Sequence, residues 1–352
     1  MVDKLTSEER MKRFYQGESI DRVPFISSAT MYSGKVMGLS SEEFYFNVEK
    51  SYEAQKWVGE MHCCDGGPCY DLPRGEILDF GGEFTFSENK TVELPMVKKF
   101  PIENINGAID YVMPSSEKWQ FLNKKIEFIK YMRQKGDFTA SISAGSPFTV
   151  VGSIIDTKLF VRWIRKEPEI IHKLLGQAVE YLLKSADIII NEFGIENCSV
   201  SSNYPFESNS LISSKTFEEF SLPYILDVHK KLREKGLTSF GIHLCGNQNK
   251  NLNYYRELNL PDRSFISVDE QNDLKTVSNI LGSHHTYAGN VPSGKLVTGT
   301  HMEIYKYCEK IIGDMKYNEG GFILMPSCDL PINTSSLNLY AMLKATRDFG
   351  KY

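Results

Sequence analysis

The sequence lacks any apolar run long enough to cross a bilayer, and its first residues, MVDKL, lack the apolar segment of a signal peptide. It also lacks an excess of basic residues: 40 Lys and Arg against 45 Asp and Glu give a net charge of −5. A nucleic-acid-binding protein normally shows a basic stripe, so this balance disfavours that class. These absences predict a cytoplasmic protein that binds neither a membrane nor nucleic acid.

No stretch rich in proline, glycine or repeated residues marks a linker or a tail. The 352 residues are 41% hydrophobic and 24% charged, which is typical of a globular protein with one large core. We therefore expect residues 1–352 to form a single domain. The seven cysteines are odd in number and unevenly spaced, so they predict reduced thiols or metal ligands rather than a disulfide framework.

Eight segments have the apolar, β-prone character of buried strands, and helical patterns separate the later ones. The candidate strands are residues 23–27, 77–86, 139–144, 197–202, 240–245, 265–269, 287–291 and 322–328. The second is the least regular, because Gly81 and Gly82 inside it indicate a hairpin or an insertion. A capping box at Thr6 predicts a first helix that ends near Gly17. The other candidate helices are residues 167–192, 215–235 (kinked at Pro223), 273–281, 302–317 and 335–349.

Alternating strands and helices predict parallel strands joined by right-handed crossovers. Eight such strands close into an α/β fold of the (β/α)8 TIM-barrel type. A doubly wound open sheet is the alternative, but no Gly-x-Gly-x-x-Gly phosphate loop follows the first strand. In a barrel of this type the active site lies at the carboxyl ends of the strands.

Two of these strand ends carry metal-ligand residues. His243 and Cys245 are two residues apart on one strand and therefore share a face, and Cys328 ends the last strand. One histidine and two thiolates give Zn²⁺ three ligands and leave the fourth position open, as in a catalytic site. The alternative is a core histidine with two buried thiols.

Other residues near the strand ends are candidates for the rest of the site. Asp269 or Glu270 could fill the fourth zinc position or act as a catalytic acid, and the sequence does not settle which. The candidate substrate-binding residues are Met31, Tyr32, Phe148, Tyr204, Phe206, Asn290 and Met325. Ordinary core packing is the alternative for the apolar ones. The loop with Cys63, Cys64 and Cys69 is a weaker metal candidate, since adjacent cysteines fit one tetrahedral ion poorly.

Several segments together resemble the uroporphyrinogen decarboxylase superfamily, in particular its zinc-dependent corrinoid methyltransferase branch. They are residues 10–25, 220–224, 243–247, 266–270, 288–291 and 320–329. The resemblance implies a (β/α)8 barrel, zinc on His243, Cys245 and Cys328, and methyl transfer that involves cobalt. The chain has no Asp-x-His-x-x-Gly corrinoid signature, so cobalamin would arrive on a separate corrinoid protein. Whether the protein forms a homodimer stays open.

The resemblance does not identify the small molecule that donates or accepts the methyl group. The leading prediction is O-demethylation of a small aromatic methyl ether as methyl donor, because apolar residues follow the strands and cationic anchors are few. The alternative is a methylcobamide:thiol methyltransferase of the coenzyme M type, which the two-thiolate zinc favours. Uroporphyrinogen decarboxylase is a further alternative, disfavoured because residues 26–33 contain no arginine. A non-catalytic corrinoid-protein docking module is the last, and intact metal ligands disfavour it.

Overall fold

The structure, a computed structural model, describes residues 3–86, 91–137 and 139–352. The strands are β1 (Glu83–Thr85), β2 (Met96–Lys99), β3 (Ala140–Ser143), β4 (Cys198–Asn203), β5 (Phe240–Leu244), β6 (Phe265–Val268), β7 (Thr286–Val291) and β8 (Phe322–Pro326). The α-helices are α1 (Ser7–Gln16), α2 (Thr30–Val36), α3 (Ser41–Phe46), α4 (Val48–Met61), α5 (Glu76–Asp79), α6 (Ile105–Ile109), α7 (Gln120–Gln134), α8 (Pro147–Ile154), α9 (Thr157–Lys166), α10 (Pro168–Phe193), α11 (Ser214–Phe220), α12 (Leu222–Glu234), α13 (Leu252–Tyr255), α14 (Leu274–Leu281), α15 (Ser293–Thr298), α16 (His301–Met315) and α17 (Ser336–Phe349). Among these residues, no helix combines the length and apolar character needed to cross a membrane.

Strands β3 to β8 form one parallel sheet in which each strand pairs with the next along the chain. The segment at Phe25 continues the sheet beyond β8, where Phe25 forms a parallel bridge with Leu324 and the Ile26 amide donates to the Leu324 carbonyl (3.0 Å). Parallel neighbours need crossover connections, and helices supply them here. The predicted α/β barrel is confirmed, with its first strand reduced to this short bridge.

The prediction of a strand at residues 77–86 is wrong. This stretch contains α5 and then β1, which pairs antiparallel with β2 instead of joining the barrel sheet. The two glycines explain the difference. Gly81 has a φ of +87°, and a Cβ on Gly82 would lie 2.7 Å from the Lys99 carbonyl oxygen. The chain therefore turns tightly where the apolar pattern predicts a continuous strand.

The predicted helices are present, and one is divided. Thr6 and Glu9 form the predicted capping box of α1, and Gly17 ends the helix in a left-handed conformation. The pattern at residues 215–235 forms two helices, α11 and α12, that meet at Ser221. Pro223 lies in the first turn of α12, where its missing N–H costs no hydrogen bond. Proline thus begins a helix here instead of kinking a longer one.

The residues of β4 show which side of the sheet faces the inside of the barrel. Ser202 contacts His229 of α12, so its side chain lies on the outer, helix-covered face. Ser201 and Asn203 alternate with Ser202, point inward, and are exposed although β4 is not an edge strand of the sheet. The inside of the barrel is therefore open to solvent at the carboxyl end of β4, whereas bulky side chains fill most barrels of this type.

A buried ion network holds the N-terminal helix against the barrel. Arg10 is 1% exposed and donates to Asp65 (2.6 Å) and Asp21 (2.7 Å), while Arg22 donates to the second oxygen of Asp65 (2.8 Å). Asp65 also accepts from the Phe25 amide (2.8 Å). The network therefore joins α1, the first strand segment and the loop that follows α4.

Replacing Arg10 by alanine should lower the free energy of unfolding by about 3 to 5 kcal/mol, because buried carboxylates would lose a cation. Urea unfolding followed by circular dichroism measures the change. Lys50→Ala is the control, since Lys50 and Glu43 form a surface pair whose side chains are 48% and 42% exposed. We expect that variant to keep nearly all of its stability. Equal losses from the two variants would contradict a special role for the buried network.

Candidate metal centre and active site

Three candidate ligands meet at the carboxyl end of the sheet. His243 lies in β5, Cys245 directly follows that strand, and Cys328 lies two residues beyond the end of β8. Their ligand atoms all lie within 4.8 Å of one another. In residues 3–86, 91–137 and 139–352 this is the only group of three or more His, Cys, Asp or Glu residues close enough to hold a metal ion. The structure thus brings together the three residues that the sequence predicts as ligands.

The hydrogen bonds of His243 leave one ring nitrogen for a metal. Its Nδ1 lies 2.7 Å from the Ser267 hydroxyl, whereas its Nε2 is buried and, apart from its contact with Cys328, has no hydrogen-bond partner. A buried polar atom without a partner is costly, and coordination would satisfy it. Ser267 pairs in register with His243 on the neighbouring strand, so the two side chains share the inner face. The sequence analysis missed Ser267, although this pairing of strands could have indicated it.

The two thiols interact directly. A hydrogen bond from Cys245 lowers the pKa of Cys328 to about 4, and the same contact raises the pKa of Cys245. The Cys245 thiol therefore stabilises Cys328 as the thiolate by a hydrogen bond. A histidine nitrogen with two sulfur atoms is a donor set typical of Zn²⁺. A metal cation bound between the sulfur atoms would replace the proton that they share. The residues present fit a metal ion.

A network of amides holds the loop after β5, which carries Cys245. The Gln248 side chain donates to the carbonyls of Cys245 (2.9 Å) and Tyr204 (3.0 Å), and Asn272 donates to the Gly246 carbonyl (2.7 Å). Gly246 has a φ of +65°, and a Cβ there would lie 2.7 Å from the Ser208 hydroxyl. The loop can therefore hold Cys245 beside Cys328 only with glycine at position 246.

Asp269 and Glu270 have different surroundings. Asp269 is 8% exposed, accepts from the Gln271 amide (2.9 Å), and its charge contributes to the raised pKa of Cys245. Glu270 is exposed, and its charge acts on Tyr307 of α16 on the outside of the barrel. Of the two predicted catalytic carboxylates, the structure thus brings only Asp269 near the triad.

The candidate substrate-binding residues divide into two groups. Phe148 and Tyr204 are 0% exposed in the main core, where Phe148 packs on Phe160 and the Tyr204 hydroxyl lies 3.2 Å from His229. Met325 also packs in a core cluster, and Phe206 packs on Phe160. These positions indicate packing and give no support to the predicted aromatic pocket.

The remaining candidates have polar or partly exposed surroundings. Asn290 is buried and donates to the carbonyls of Asp269 (3.3 Å) and Asn272 (2.9 Å). It therefore fixes the loop after β6 on which Asp269 lies. The Tyr32 hydroxyl lies 3.4 Å from His62, and Met31 packs partly exposed on a smaller apolar cluster.

The cysteines of the 62–69 loop do not converge on one point. The Cys64 sulfur accepts from the amide (3.2 Å) and hydroxyl (3.4 Å) of Ser27, whereas Cys63 is exposed. Cys69 is exposed too, yet burial and the charge of Asp71 raise its pKa to about 12. Within the described residues, Cys69 therefore belongs to no second group of side chains close enough to hold a metal ion.

Three carboxyl groups and one ammonium group lie near Cys69 and Cys328, and no sequence motif marks most of them. Asp329 directly follows Cys328, accepts from Thr30 (2.7 Å) and hydrogen bonds to Asp71. Burial raises the pKa of both aspartates, and that of Glu76. The position of Asp329 beside a predicted ligand was the available signal. Asp71 and Glu76 lie near the wrongly predicted second strand, where no signal was present.

The ammonium group is that of Lys125. This residue is 5% exposed and donates to the Ser143 hydroxyl at the end of β3. Burial lowers its pKa to about 8, against the opposing charges of Cys69, Glu76 and Asp71. The sequence pattern of α7 marks Lys125 as an ordinary helix residue, so only the fold reveals its place near Asp71 and Glu76.

Residues 6–349 match the uroporphyrinogen decarboxylase (URO-D) family. The chain belongs to this family. The resemblance identified in the sequence is therefore confirmed over nearly the whole chain.

Named relatives are methyltransferases. Methylated-thiol--coenzyme M methyltransferase from Methanosarcina mazei is 24% identical over 204 residues, which cover 58% of this chain and 51% of that protein. Methylcobamide:CoM methyltransferase MtaA from Methanosarcina barkeri is 24% identical over 233 residues, 64% of this chain and 63% of that protein. The matches thus span between 51% and 63% of the length of these relatives. A solved structure of a methyltransferase from Methanosarcina mazei has a TM-score of 0.76 at 21% identity, covers 98% and 99% of the two chains, and shows the shared fold.

Replacing Cys245 or Cys328 by serine should abolish stoichiometric zinc binding, because two remaining ligands hold the ion weakly. Elemental analysis of protein purified with added zinc measures the metal content. Cys63→Ser is the control, since Cys63 is exposed and outside the triad. Full zinc content in the two triad variants would show that the ion binds elsewhere.

Replacing Ser267 by alanine should weaken zinc binding by about 10- to 100-fold, because the group that orients His243 would be lost. Competition with a chromophoric chelator measures the affinity. The Ser267→Thr variant keeps a hydroxyl group and should recover most of it. Unchanged affinity in Ser267→Ala would mean that Ser267 does not orient the ring.

Proposed function

We propose that this protein is a zinc-dependent methyltransferase that moves a methyl group between the cobalt of a separate corrinoid protein and a thiol. The observation that carries the proposal is the convergence of the ligand atoms of His243, Cys245 and Cys328 within 4.8 Å of one another, with His243 Nε2 buried. Three protein ligands leave the fourth position of a tetrahedral ion for a substrate. The relatives named for methylcobamide and coenzyme M are in line with this chemistry.

When bound, Zn²⁺ would stabilise a substrate thiol as the thiolate at neutral pH. The sulfur lone pair forms the new S–C bond, and the Co–C bond breaks and leaves its electron pair on cobalt as Co(I). The protein residues supply position and charge. Ser267 orients His243, and the amide network holds Cys245, so the donor atoms need little rearrangement when substrate binds.

The thiol proton also needs an acceptor. Asp269 is the candidate, because it lies near Cys245 while Glu270 lies on the outside of the barrel. The Asp269 backbone carbonyl accepts from Asn290, which keeps the loop in place. In the reverse direction the same carboxyl group would return the proton to the departing thiolate.

The thiol is a better-supported partner than the aromatic methyl ether that the sequence suggests first. The ether prediction depends on an aromatic pocket, and Phe148 and Tyr204 are fully buried in the core. The groups beside Cys328 are polar instead, namely the carboxyl groups of Asp71 and Asp329. Two thiolate ligands also make zinc a weak Lewis acid for an ether oxygen, since their charge offsets that of the ion.

Spectroscopy separates the two partners. Zinc-loaded protein mixed with methylcobalamin and 2-mercaptoethanol should consume the methyl-Co(III) absorption band faster than the protein-free mixture. The Cys328→Ser variant should lose at least about 100-fold in rate, since even residues that orient metal ligands contribute about 10- to 100-fold. Protein with a Co(I) corrinoid and a methoxylated aromatic compound should leave Co(I) unchanged. Formation of methyl-Co(III) from the ether would favour the ether and contradict the thiol proposal.

A further inference from the structure

Two loops at the carboxyl end of the sheet are hydrogen bonded to each other. Residues 204–209, which follow β4, are called the β4 loop, and residues 245–251, which follow β5 and begin with Cys245, are called the β5 loop. The backbone amide of Asn209 in the β4 loop donates to the carbonyl of Asn247 in the β5 loop (2.6 Å). The position of the loop that carries the predicted metal ligand therefore depends on the position of its neighbour.

Side chains add a second, buried connection between the two loops. Asn251 is 0% exposed, and its side chain donates to the backbone carbonyl of Glu207 (2.9 Å) and to the side-chain oxygen of Gln248 (3.0 Å). Gln248 is also 0% exposed and donates to the carbonyls of Tyr204 (3.0 Å) and Cys245 (2.9 Å). A continuous series of hydrogen bonds thus joins Glu207 to Cys245.

The carboxyl group of Glu207 holds the β4 loop against two helices. It accepts from the hydroxyl of Thr149 in α8 (2.9 Å) and from the hydroxyl of Ser221, where α11 and α12 meet (3.0 Å). Glu207 is 0% exposed, and burial raises its pKa to about 7, although these hydroxyl groups oppose the shift. Burial of a carboxyl group is costly, and an apolar side chain at this position would avoid the cost. The cost favours a role for Glu207 beyond packing.

Another buried carboxyl group in the chain offers a comparison. Asp79 is 0% exposed, and burial raises its pKa to about 7 as well. It accepts from the Tyr181 hydroxyl (2.8 Å) in α10 and from the Phe121 amide (2.7 Å) in α7. These partners belong to neither the β4 loop nor the β5 loop. Asp79 therefore shares the burial and hydrogen bonding of Glu207 without its connection to Cys245.

We propose that Glu207 is a positioning residue for the metal centre. Its carboxyl group holds the β4 loop, and through Asn251 and Gln248 that loop keeps the sulfur of Cys245 among the metal ligands. The inference rests on the proposed function, because it concerns the zinc site of that function. Without the carboxyl group, the β4 loop would lose its attachment to the helices, and Cys245 would spend part of its time too far from the other ligands to bind the ion.

Zinc affinity tests the inference without a measurement of activity. Glu207→Ala should weaken zinc binding by about 10- to 100-fold, which is the usual effect when a group that orients a metal ligand is lost. Asp79→Ala is the matched control, and it should lower the free energy of unfolding while it leaves zinc affinity unchanged. Competition with a chromophoric chelator measures the affinity, and urea unfolding measures the stability. Glu207→Gln should recover most of the affinity, because an amide can accept from one hydroxyl group and donate to the other.

Two further measurements cover the outcomes that affinity alone would leave open. If Glu207→Ala does not fold, Thr149→Val removes one of the two hydroxyl groups that hold the carboxyl group, and it should weaken zinc binding in the same direction. Amide hydrogen exchange of residues 245–251 in zinc-free protein reports on the β5 loop itself. We expect faster exchange in Glu207→Ala than in the unaltered protein, and no change in Asp79→Ala.

The results separate the positioning role from the proposed function. Zinc affinity that stays unchanged in Glu207→Ala and Thr149→Val, or that falls equally in Asp79→Ala, would overturn the positioning role. Unchanged hydrogen exchange of the β5 loop in Glu207→Ala would overturn it too. An unaltered protein that binds no zinc would instead contradict the proposed function, and hydrogen exchange would still decide whether Glu207 holds the loop.

Discussion

The alternation of side chains along parallel strands is the constraint on which the site depends. His243 points into the barrel because β5 is paired in register with β6, and the same register places Ser267 beside it. A slip of one residue would move His243 to the helix-covered face and remove the ligand. The position of His243 in the candidate metal site is therefore as well defined as the strand pairing itself, and hydrogen bonds from loop amides hold Cys245.

The features that follow from local pattern could be predicted from the sequence. A capping box and a glycine mark the two ends of α1. The candidate ligands His243, Cys245 and Cys328 were predicted because they lie at strand ends and the first two are two residues apart. For residues 77–86 the local signals conflict, because the apolar run predicts a strand whereas Gly81 and Gly82 indicate a hairpin or an insertion, and close contact between Gly82 and the Lys99 carbonyl decides the outcome. Such a contact is tertiary, and local hydrophobicity does not reveal it.

The pocket was the least predictable part of the site for a similar reason. Phe148 and Tyr204 follow strands as pocket residues do, but the helices around them cover both rings. Lys125 comes from a helix that precedes β3 and reaches Ser143 only through the packing of that helix. Sequence spacing identifies residues that share a strand end, whereas it does not identify residues that reach the same space from separate elements.

The ion network at the other end of the barrel has a consequence for the order of folding. Asp3 binds both Arg22 and Arg347, and the last pair joins residues 344 positions apart. During synthesis, Asp3 can therefore contact Arg22 early, but it gains its contact with Arg347 only after α17 has been made. Contacts over such a separation form late and slowly, since a long loop must close first. A nascent chain that lacks α17 can already form the contacts of Arg10 with Asp21 and Asp65, but not the contact with Arg347 that joins Asp3 to the C-terminal helix.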